Sequence, residues 1–199
     1  MEQFHQSTGG GGVNVAIGAH RNGLKTAVVG MIGDNAFKNL ILSDLRASGV
    51  STALCQMEKQ FLNISSILLT PEGERSIINF ETQHMKLFED AEEMKMLLHA
   101  KHVYLGNLPD VSLSQREDML HFLKKNNVQT IVNMGVKDCR RPLKQLESFL
   151  KPVDMLMIMV ERLNIDLLSD LIWLARDRVD DIKREYELIT AKKVYWLPE

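Results

Sequence analysis

The chain has 199 residues, of which 45% are hydrophobic and 25% charged, a balance typical of one soluble globular domain with a small appendage. Its net charge of −2, with six histidines counted as neutral, excludes a basic surface of the kind that binds nucleic acid or an anionic membrane. Cys55 and Cys139 have no CxxC partner and the histidines lack metal-ligand spacing, which argues against a disulfide framework and a zinc site. With no apolar signal segment and no membrane-length apolar run, a cytoplasmic protein is expected.

Apolar runs alternate with segments of helical period along most of the chain. The helices are predicted at 13–21, 34–47, 89–99, 112–126 and 139–150, and the strands at 25–32, 52–56, 64–70, 75–80, 101–105, 128–133 and 153–159. Such alternation predicts a mostly parallel sheet with helices on both faces. The two strands on either side of the Pro/Gly turn at 71–74 have no crossover helix, so they are predicted to form a hairpin outside the main sheet.

Several helix ends carry recognisable signals. Asn22 and Gly23 are a stop signal for the first helix, and Asp34 is predicted to cap the second. Ser114 and Glu117 are spaced as a capping box for the helix at 112–126. The sequence therefore predicts where these helices begin and end as well as where they lie.

The C-terminal segment differs from the rest of the chain. From Leu168 to Ile189, apolar residues recur every three or four positions and form one stripe on a predicted long helix. The stripe is compatible with packing on the sheet and also with a seam for a partner chain. A short final strand is predicted at 193–197.

The glycine run at 9–12, followed by Val13 and Asn14, is the most informative segment. A flexible linker does not explain why a helix begins directly after the glycines. A dinucleotide fingerprint requires a preceding strand with GxGxxG spacing, and a P-loop requires a Gly-Lys-Ser/Thr ending; neither is present. The remaining interpretation is a ligand pocket, in which glycines let a ligand approach the backbone and the helix start directs free N–H groups at it. Asn14, with both a donor and an acceptor, suits a hydroxyl-rich compound.

Together with Gly23 and Gly33, this run is similar to the N-terminal motif of the ribokinase-like carbohydrate kinases of the phosphofructokinase-B type. Segments resembling later parts of that family follow in the same order. They are VVGMIGDNAF, a strand and helix start; LLTPEGERSIINF, a lid hairpin; and VYLGNLP, IVNMG and VDMLMIMVER, three later strands. The resemblance covers roughly residues 8–163.

The resemblance implies a three-layer αβα sandwich with a small β lid, and transfer of the γ-phosphate of ATP, with Mg²⁺, to a hydroxyl of a sugar or nucleoside. By resemblance, the substrate-side residues are Gly10, Gly11, Asn14 and Asn107, and the phosphate-side residues are Asn133 and Glu161. The hairpin would close over the sugar and exclude water. Little covalent chemistry would be asked of the protein, which would position the alcohol, remove its proton and neutralise charge.

The sequence departs from the family pattern in its C-terminal part. The Gly-Ala-Gly-Asp segment that supplies the family's catalytic Asp and anion hole has no counterpart, since Gly33-Asp34 belongs to the early part of the sheet. The family's Asn-x-x-Glu ending appears as Met159-Val160-Glu161-Arg162, and the family's first strand is missing. No catalytic residue and no metal ligand is therefore assigned, and ATP and Mg²⁺ have no identifiable site in this chain.

These features predict a truncated ribokinase-like core at 1–163, with the lid hairpin at about 62–82, and a divergent helix and short strand at 164–199. Two functions stay open: a carbohydrate kinase-like protein that is inactive as this isolated chain, and a non-catalytic relative that binds a ligand or a partner. A sheet cut in this way has an unpaired edge. The C-terminal helix covers that edge, or a homodimer or another partner does, or the chain is a fragment of a longer protein.

Overall fold

The computed structural model describes residues 5–81, 91–108 and 111–157. The helices are α1 (Gly11–Arg21), α2 (Lys38–Ala47), α3 (Ala91–Met96, extended by a 3₁₀ turn at Leu97–His99), α4 (Leu113–Lys125), α5 (Val136–Cys139) and α6 (Leu143–Leu150). The strands are β1 (Ala27–Gly33), β2 (Ser51–Glu58), β3 (Asn63–Leu69), β4 (Arg75–Glu81), β5 (His102–Leu105), β6 (Gln129–Asn133) and β7 (Met155–Met157). None of the helices in these ranges is long and apolar enough to cross a membrane.

The parallel strands form two separate sheets instead of the single sheet that the alternating pattern predicts. β1 pairs in parallel with β2, and β5, β6 and β7 form a second parallel sheet in that order. β3 and β4 pair antiparallel, with Ile64 opposite Phe80, and form a sheet of their own. The predicted α/β class and the separate hairpin are thus confirmed, whereas β1–β2 and β5–β6–β7 are not hydrogen-bonded to each other.

The main core lies between the β5–β6–β7 sheet and helices α4 and α6. Arg116, Met119, Leu120 and Leu123 are the buried residues of α4, a spacing of three and four that places them on one face. The members of the core cluster without measurable exposure are Leu120, Leu123, Cys139, Leu146 and Phe149. A smaller cluster of Ala16, Leu45 and Val50 joins α1 to α2.

The hairpin exposes apolar side chains on both of its faces. Residues opposite one another in an antiparallel pair share a face, so Ile67 and Ile77 lie on one side, and Ser66 and Ile78 on the other. Each of these three isoleucines is about half exposed, at 54%, 50% and 47%. A two-stranded hairpin with so little cover is marginally stable by itself.

Two of the predicted helix caps are wrong. The capping box of α4 is formed by Ser112 and Gln115, whose N–H donates to the Ser112 hydroxyl oxygen at 3.2 Å, rather than by Ser114 and Glu117. The N-cap of α2 is Phe37, and Asp34 instead accepts a hydrogen bond from the Lys38 ammonium at 2.5 Å. Ser114 lies two residues after the N-cap of α4 and Asp34 three residues before that of α2, so both polar side chains fitted the sequence pattern without standing at the cap.

Other predicted boundaries differ as well. α1 begins at Gly11, so two of the glycines belong to the helix. The helix predicted at 139–150 begins only at Leu143, after its N-cap Pro142, and Cys139 instead ends the separate short helix α5. The C-terminal stripe from Leu168 to Ile189, the strand at 193–197 and Glu161 lie outside the described residues.

Candidate functional site

The N-terminus of α1 lies against the carboxyl end of β5. A Cβ atom on Gly106, directly after β5, would lie 3.7 Å from the backbone nitrogen of Gly12. A Cβ atom on Gly11 would lie 3.6 Å from the hydroxyl oxygen of Tyr104. The glycine turn and the end of β5 therefore form one continuous surface, built mainly from backbone.

Gly10 shapes this turn. As the N-cap of α1 it has φ of 99° and ψ of 150°, a conformation that residues with a Cβ atom rarely adopt. No side chain caps this helix end, and the first intrahelical bond is from the N–H of Asn14 to the carbonyl of Gly10 at 3.0 Å. The N–H groups of the first turn are thus free of helix partners and accompany the positive end of the helix dipole.

The segment before the turn is held in place by α2. The N–H of Thr8 donates to the carboxylate of Asp44 at 2.9 Å. At the other end of α1, Gly23 has a φ of 88° and the chain then enters β1. The glycine turn therefore lies between a segment bound to α2 and the start of helix α1, and not in a flexible linker.

Asn107 extends this surface towards β6. It follows Gly106 and is exposed, and its amide packs over Gly135: a Cβ atom there would lie 2.1 Å from Asn107 Oδ1. Gly135 is the N-cap of α5. The absence of a side chain at Gly135 therefore gives the amide of Asn107 the space that it occupies.

A buried ion pair fixes α5 behind Gly135. Arg116 of α4 donates to both carboxylate oxygens of Asp138, at 2.6 and 3.0 Å, and its guanidinium lies 5.5 Å from the centre of the Phe149 ring. Burial by itself would raise the pKa of Asp138, but the hydrogen bonds and charge of Arg116, with those of Arg141, outweigh burial and lower it. Asp138 is therefore a charged structural group rather than a free proton acceptor.

The structure thus places the predicted residues Gly10 and Gly11 beside the end of β5, which is followed by Asn107. Asn14 is exposed in the first turn of helix α1. Asn133 ends β6 and is half-buried beside β7, opposite Met157. Sequence reasoning missed Tyr104, Gly106 and Gly135, whose importance follows from contacts between distant segments. Tyr104 could have been noticed as an aromatic residue two positions before a glycine at a strand end.

Metal-ligating side chains do not cluster in the described part of the chain. Among residues 5–81, 91–108 and 111–157, no group of three His, Cys, Asp or Glu side chains could hold a metal ion. Asp34 is paired with Lys38 and Asp138 with Arg116. Cys55 is no better placed as a nucleophile, because burial raises the pKa of its thiol.

The sequence model of the pfkB family of carbohydrate kinases matches residues 1–159. The chain belongs to this family. Among curated proteins, it is 25% identical to the 5-dehydro-2-deoxygluconokinase of Bacillus velezensis over 67% of this chain and 43% of that one. It is also 25% identical to the probable fructokinase-7 of Arabidopsis thaliana, over 61% of this chain and 36% of that one.

Solved structures show the same fold. The 2-dehydro-3-deoxygluconokinase of Thermotoga maritima matches with a TM-score of 0.66 at 16% identity, over 85% of this chain and 60% of that one. A PfkB protein from Polaromonas matches with a TM-score of 0.65 at 16% identity, over 81% and 58%. The ribokinase-like α/β fold is therefore confirmed, and the chain spans 60% or less of the length of each of these four proteins.

Proposed function

We propose that this chain is the sugar-binding part of a carbohydrate kinase, which in its whole form transfers a phosphoryl group from ATP to a sugar hydroxyl. The observation that carries the proposal is the glycine turn of α1 packed against the end of β5, with Asn107 beside it. Backbone N–H groups and amide side chains offer both donors and acceptors at close range, which matches the hydroxyls of a sugar. Gly10, Gly11, Asn14 and Asn107 are the proposed substrate-side residues.

The phosphate side of the proposed site is Asn133, with Glu161 outside the described residues. Sugar kinases of the pfkB family use ATP, so ATP with Mg²⁺ is the phosphoryl donor expected of the whole kinase. The described residues do not fit a bound ATP with Mg²⁺, because they include no cluster of metal-ligating side chains. Asp34 and Asp138 are both ion-paired. We therefore assign sugar binding, and no step of phosphoryl transfer, to this part of the fold.

The relatives indicate which sugars to test. Their names specify fructose and two keto-deoxy derivatives of gluconate as substrates. All are small polyhydroxylated molecules, for which an uncharged surface of amides and glycine N–H groups is suitable. We propose a ligand of this class, met in the cytoplasm, and we expect the hairpin to contribute to its selection by closing over it.

Calorimetry with fructose, 2-dehydro-3-deoxygluconate and 5-dehydro-2-deoxygluconate tests the assignment. Asn14→Ala is expected to weaken binding of the preferred sugar about tenfold, since it removes one amide with its hydrogen bonds. Asn22→Ala is the matched control, because Asn22 lies at the far end of the same helix, where its amide donates to the carbonyl of Gly18 at 2.8 Å. Equal loss of binding in both variants would contradict a direct role for Asn14.

Gly135→Ala tests the second wall of the site. The new methyl group would overlap the amide of Asn107, so that side chain must move, and sugar binding is expected to fall by a similar factor. Gly18→Ala is its control, since a Cβ atom there would meet nothing within 4 Å. If the folded chain binds none of the three sugars, the observation favours the alternative function, a non-catalytic relative that binds a protein partner.

A further inference from the structure

Tyr104 connects β5 with the glycine turn. A Cβ atom on Gly11 would lie 3.6 Å from the Tyr104 hydroxyl oxygen, and a Cβ atom on Gly106 would lie 3.6 Å from its ring carbon Cε1. The ring therefore lies beside Gly106, and the hydroxyl reaches the first residue of α1. Both glycines leave space along this side chain that any other residue would partly fill.

The Tyr104 hydroxyl makes no hydrogen bond within the part of the chain that the structure describes. Tyr104 as a whole is half-buried. Its hydroxyl oxygen is nevertheless not one of the unpartnered side-chain atoms that are shut off from solvent. Among the described residues, those atoms belong to Thr8, His20, Thr26, Arg116 and Arg141. The hydroxyl is therefore open to solvent beside Gly11, while the ring is partly enclosed.

The ring and the hydroxyl of Tyr104 require separate explanations. Packing beside Gly106 accounts for an aromatic ring, and phenylalanine would fill the same space. It does not account for the hydroxyl, which pairs with no described group. The neighbouring N–H groups in the first turn of α1 have no intrahelical acceptor. An unpaired hydroxyl thus lies beside unpaired backbone donors, on the surface that we propose for the sugar.

The position of this hydroxyl does not depend on how the strands pair. In a strand, backbone groups point to the edges of the sheet and side chains to its faces. Tyr104 directs its side chain to the face on which α1 packs against β5. The hydroxyl therefore belongs to the surface that α1 and the end of β5 form together.

We propose that the Tyr104 hydroxyl, reached through the space that Gly11 leaves, hydrogen-bonds one hydroxyl of the bound sugar and selects for sugars that carry it. This inference rests on the proposed function. A tyrosine hydroxyl both donates and accepts, as a sugar hydroxyl does, so the two can pair in either direction. A site that bonds a particular substrate hydroxyl rejects the analogue lacking it, because a polar group of the protein is then left without a partner.

Tyr104→Phe tests the contact, since it keeps the ring and removes only the hydroxyl. By calorimetry, the variant is expected to bind the preferred sugar of the three named above about fivefold more weakly than the unmodified chain. Monodeoxy analogues of that sugar identify the hydroxyl involved. One of them is expected to bind both proteins equally, because it already lacks the group whose partner the variant has lost.

Gly11→Ala tests the route to the hydroxyl. The new methyl group would lie 3.6 Å from the Tyr104 hydroxyl oxygen, an ordinary van der Waals contact, and would cover it without a clash. Alanine is also the better helix former, so the variant is expected to be no less stable and to bind sugar about fivefold more weakly. Gly18→Ala is the matched control on the same helix. A Cβ atom there would meet nothing within 4 Å, and unchanged binding is expected.

The double variant Tyr104→Phe/Gly11→Ala shows whether both changes act on one contact. Its loss of affinity is expected to be no larger than that of either single variant, because the same hydrogen bond is removed only once. Additive losses, about 25-fold together, would overturn the assigned route, since the methyl group would then obstruct the sugar independently of Tyr104.

A spectroscopic measurement separates the hydroxyl from the packing of its ring. The chain has three tyrosines, so labelling their Cζ atoms with ¹³C gives three signals, of which the one missing in Tyr104→Phe belongs to Tyr104. Because Cζ carries the hydroxyl, its chemical shift responds to hydrogen bonding there. The Tyr104 signal of the unmodified chain is expected to shift when the sugar is added to saturation.

The inference and the proposed function fail in different ways. Sugar binding that weakens in Asn14→Ala and is unchanged in Tyr104→Phe would overturn the role of Tyr104 and leave the proposed function intact. An equal loss for every analogue in Tyr104→Phe, or a Tyr104 signal that sugar does not shift, would do the same. If the unmodified chain binds none of the three sugars, both are overturned.

Discussion

Arg116 and Asp138 form an ion pair whose side chains are only 6% and 5% exposed. Such a pair adds little net stability compared with apolar residues of similar volume, but removing one partner leaves the other charge buried without compensation. The pair joins α4 to α5 one turn after Gly135, whose lack of a side chain accommodates Asn107. At the scale of single residues, therefore, the candidate site depends on a buried charge pair that does not touch its surface.

Asp138→Asn is expected to lower the free energy of unfolding at neutral pH by about 3–5 kcal/mol, because Arg116 would remain charged and buried. Since the folded-state pKa of Asp138 is lowered, its contribution is present above the ordinary value of about 3.9 and is lost as the pH falls through the lowered folded value. Urea unfolding at a series of pH values is expected to show a shallower acid loss in the variant than in the unmodified chain.

Asp118→Asn is the matched control for this prediction, because Asp118 is an exposed carboxylate on the same helix, α4. It is expected to leave the stability profile nearly unchanged. Some acid dependence will persist in Asp138→Asn, because hydrogen bonds from Lys124 and Thr130 outweigh burial and lower the pKa of Asp154 too. Parallel pH profiles for Asp138→Asn and the unmodified chain would contradict the assigned role of the pair.

At the scale of elements, α4 offers a direct test of where a helix begins. Ser112→Ala is expected to cost about 1 kcal/mol of unfolding free energy, because the Ser112 hydroxyl oxygen accepts from the N–H of Gln115. Ser114→Ala, at the position that the sequence pattern favoured, is expected to be neutral or slightly stabilising, since alanine is the better helix former. Urea denaturation of both variants measures the difference, and an equal or reversed effect would contradict the observed cap.

The elements themselves were largely predictable from the sequence, and their ends were less so. Apolar periodicity indicated α4 because Met119, Leu120 and Leu123 face one core, and alternating runs with a Pro/Gly turn indicated the hairpin. From the sequence alone, Ser112 and Ser114 are equally good N-caps. Only the backbone conformation, with φ of −59° and ψ of 153° at Ser112, decides between them. The division of the sheet was not predictable, because strand pairing depends on long-range contacts.

The candidate site likewise has a part that the sequence predicts and a part that only the fold reveals. The glycine turn was recognisable because consecutive glycines before a helix form a local signal, and the structure places it against β5. Tyr104, Gly106 and Gly135 become neighbours of the site only through folding, so no spacing along the chain marks them. Glycine at 135 has a steric reason that only the neighbouring Asn107 amide reveals, whereas a Cβ atom at Gly106 would make ordinary contacts at 3.6 and 3.7 Å.

At the scale of the whole molecule, the described residues contain the glycine turn that we propose as the sugar side of a site, and two parallel sheets that share no hydrogen-bonded strands. The N-terminal glycine surface and the hairpin are present, whereas metal-ligating clusters are not found in residues 5–81, 91–108 and 111–157. Sugar binding and phosphoryl transfer require different groups. Backbone and amide groups can hold a sugar, but deprotonating its hydroxyl requires a base. Stabilising the transferred phosphoryl group requires further charged groups.

The purified chain is accordingly expected to bind a sugar without consuming ATP above background. Asp34 and Asp138 are ion-paired with Lys38 and Arg116, so neither is assigned as a base. A coupled ADP assay with each of the three proposed sugars measures this, with the 2-dehydro-3-deoxygluconokinase of Thermotoga maritima as the active control. ATP consumption that depends on sugar and disappears in Asn14→Ala would contradict the expectation, since it would require catalytic groups that the described residues do not supply.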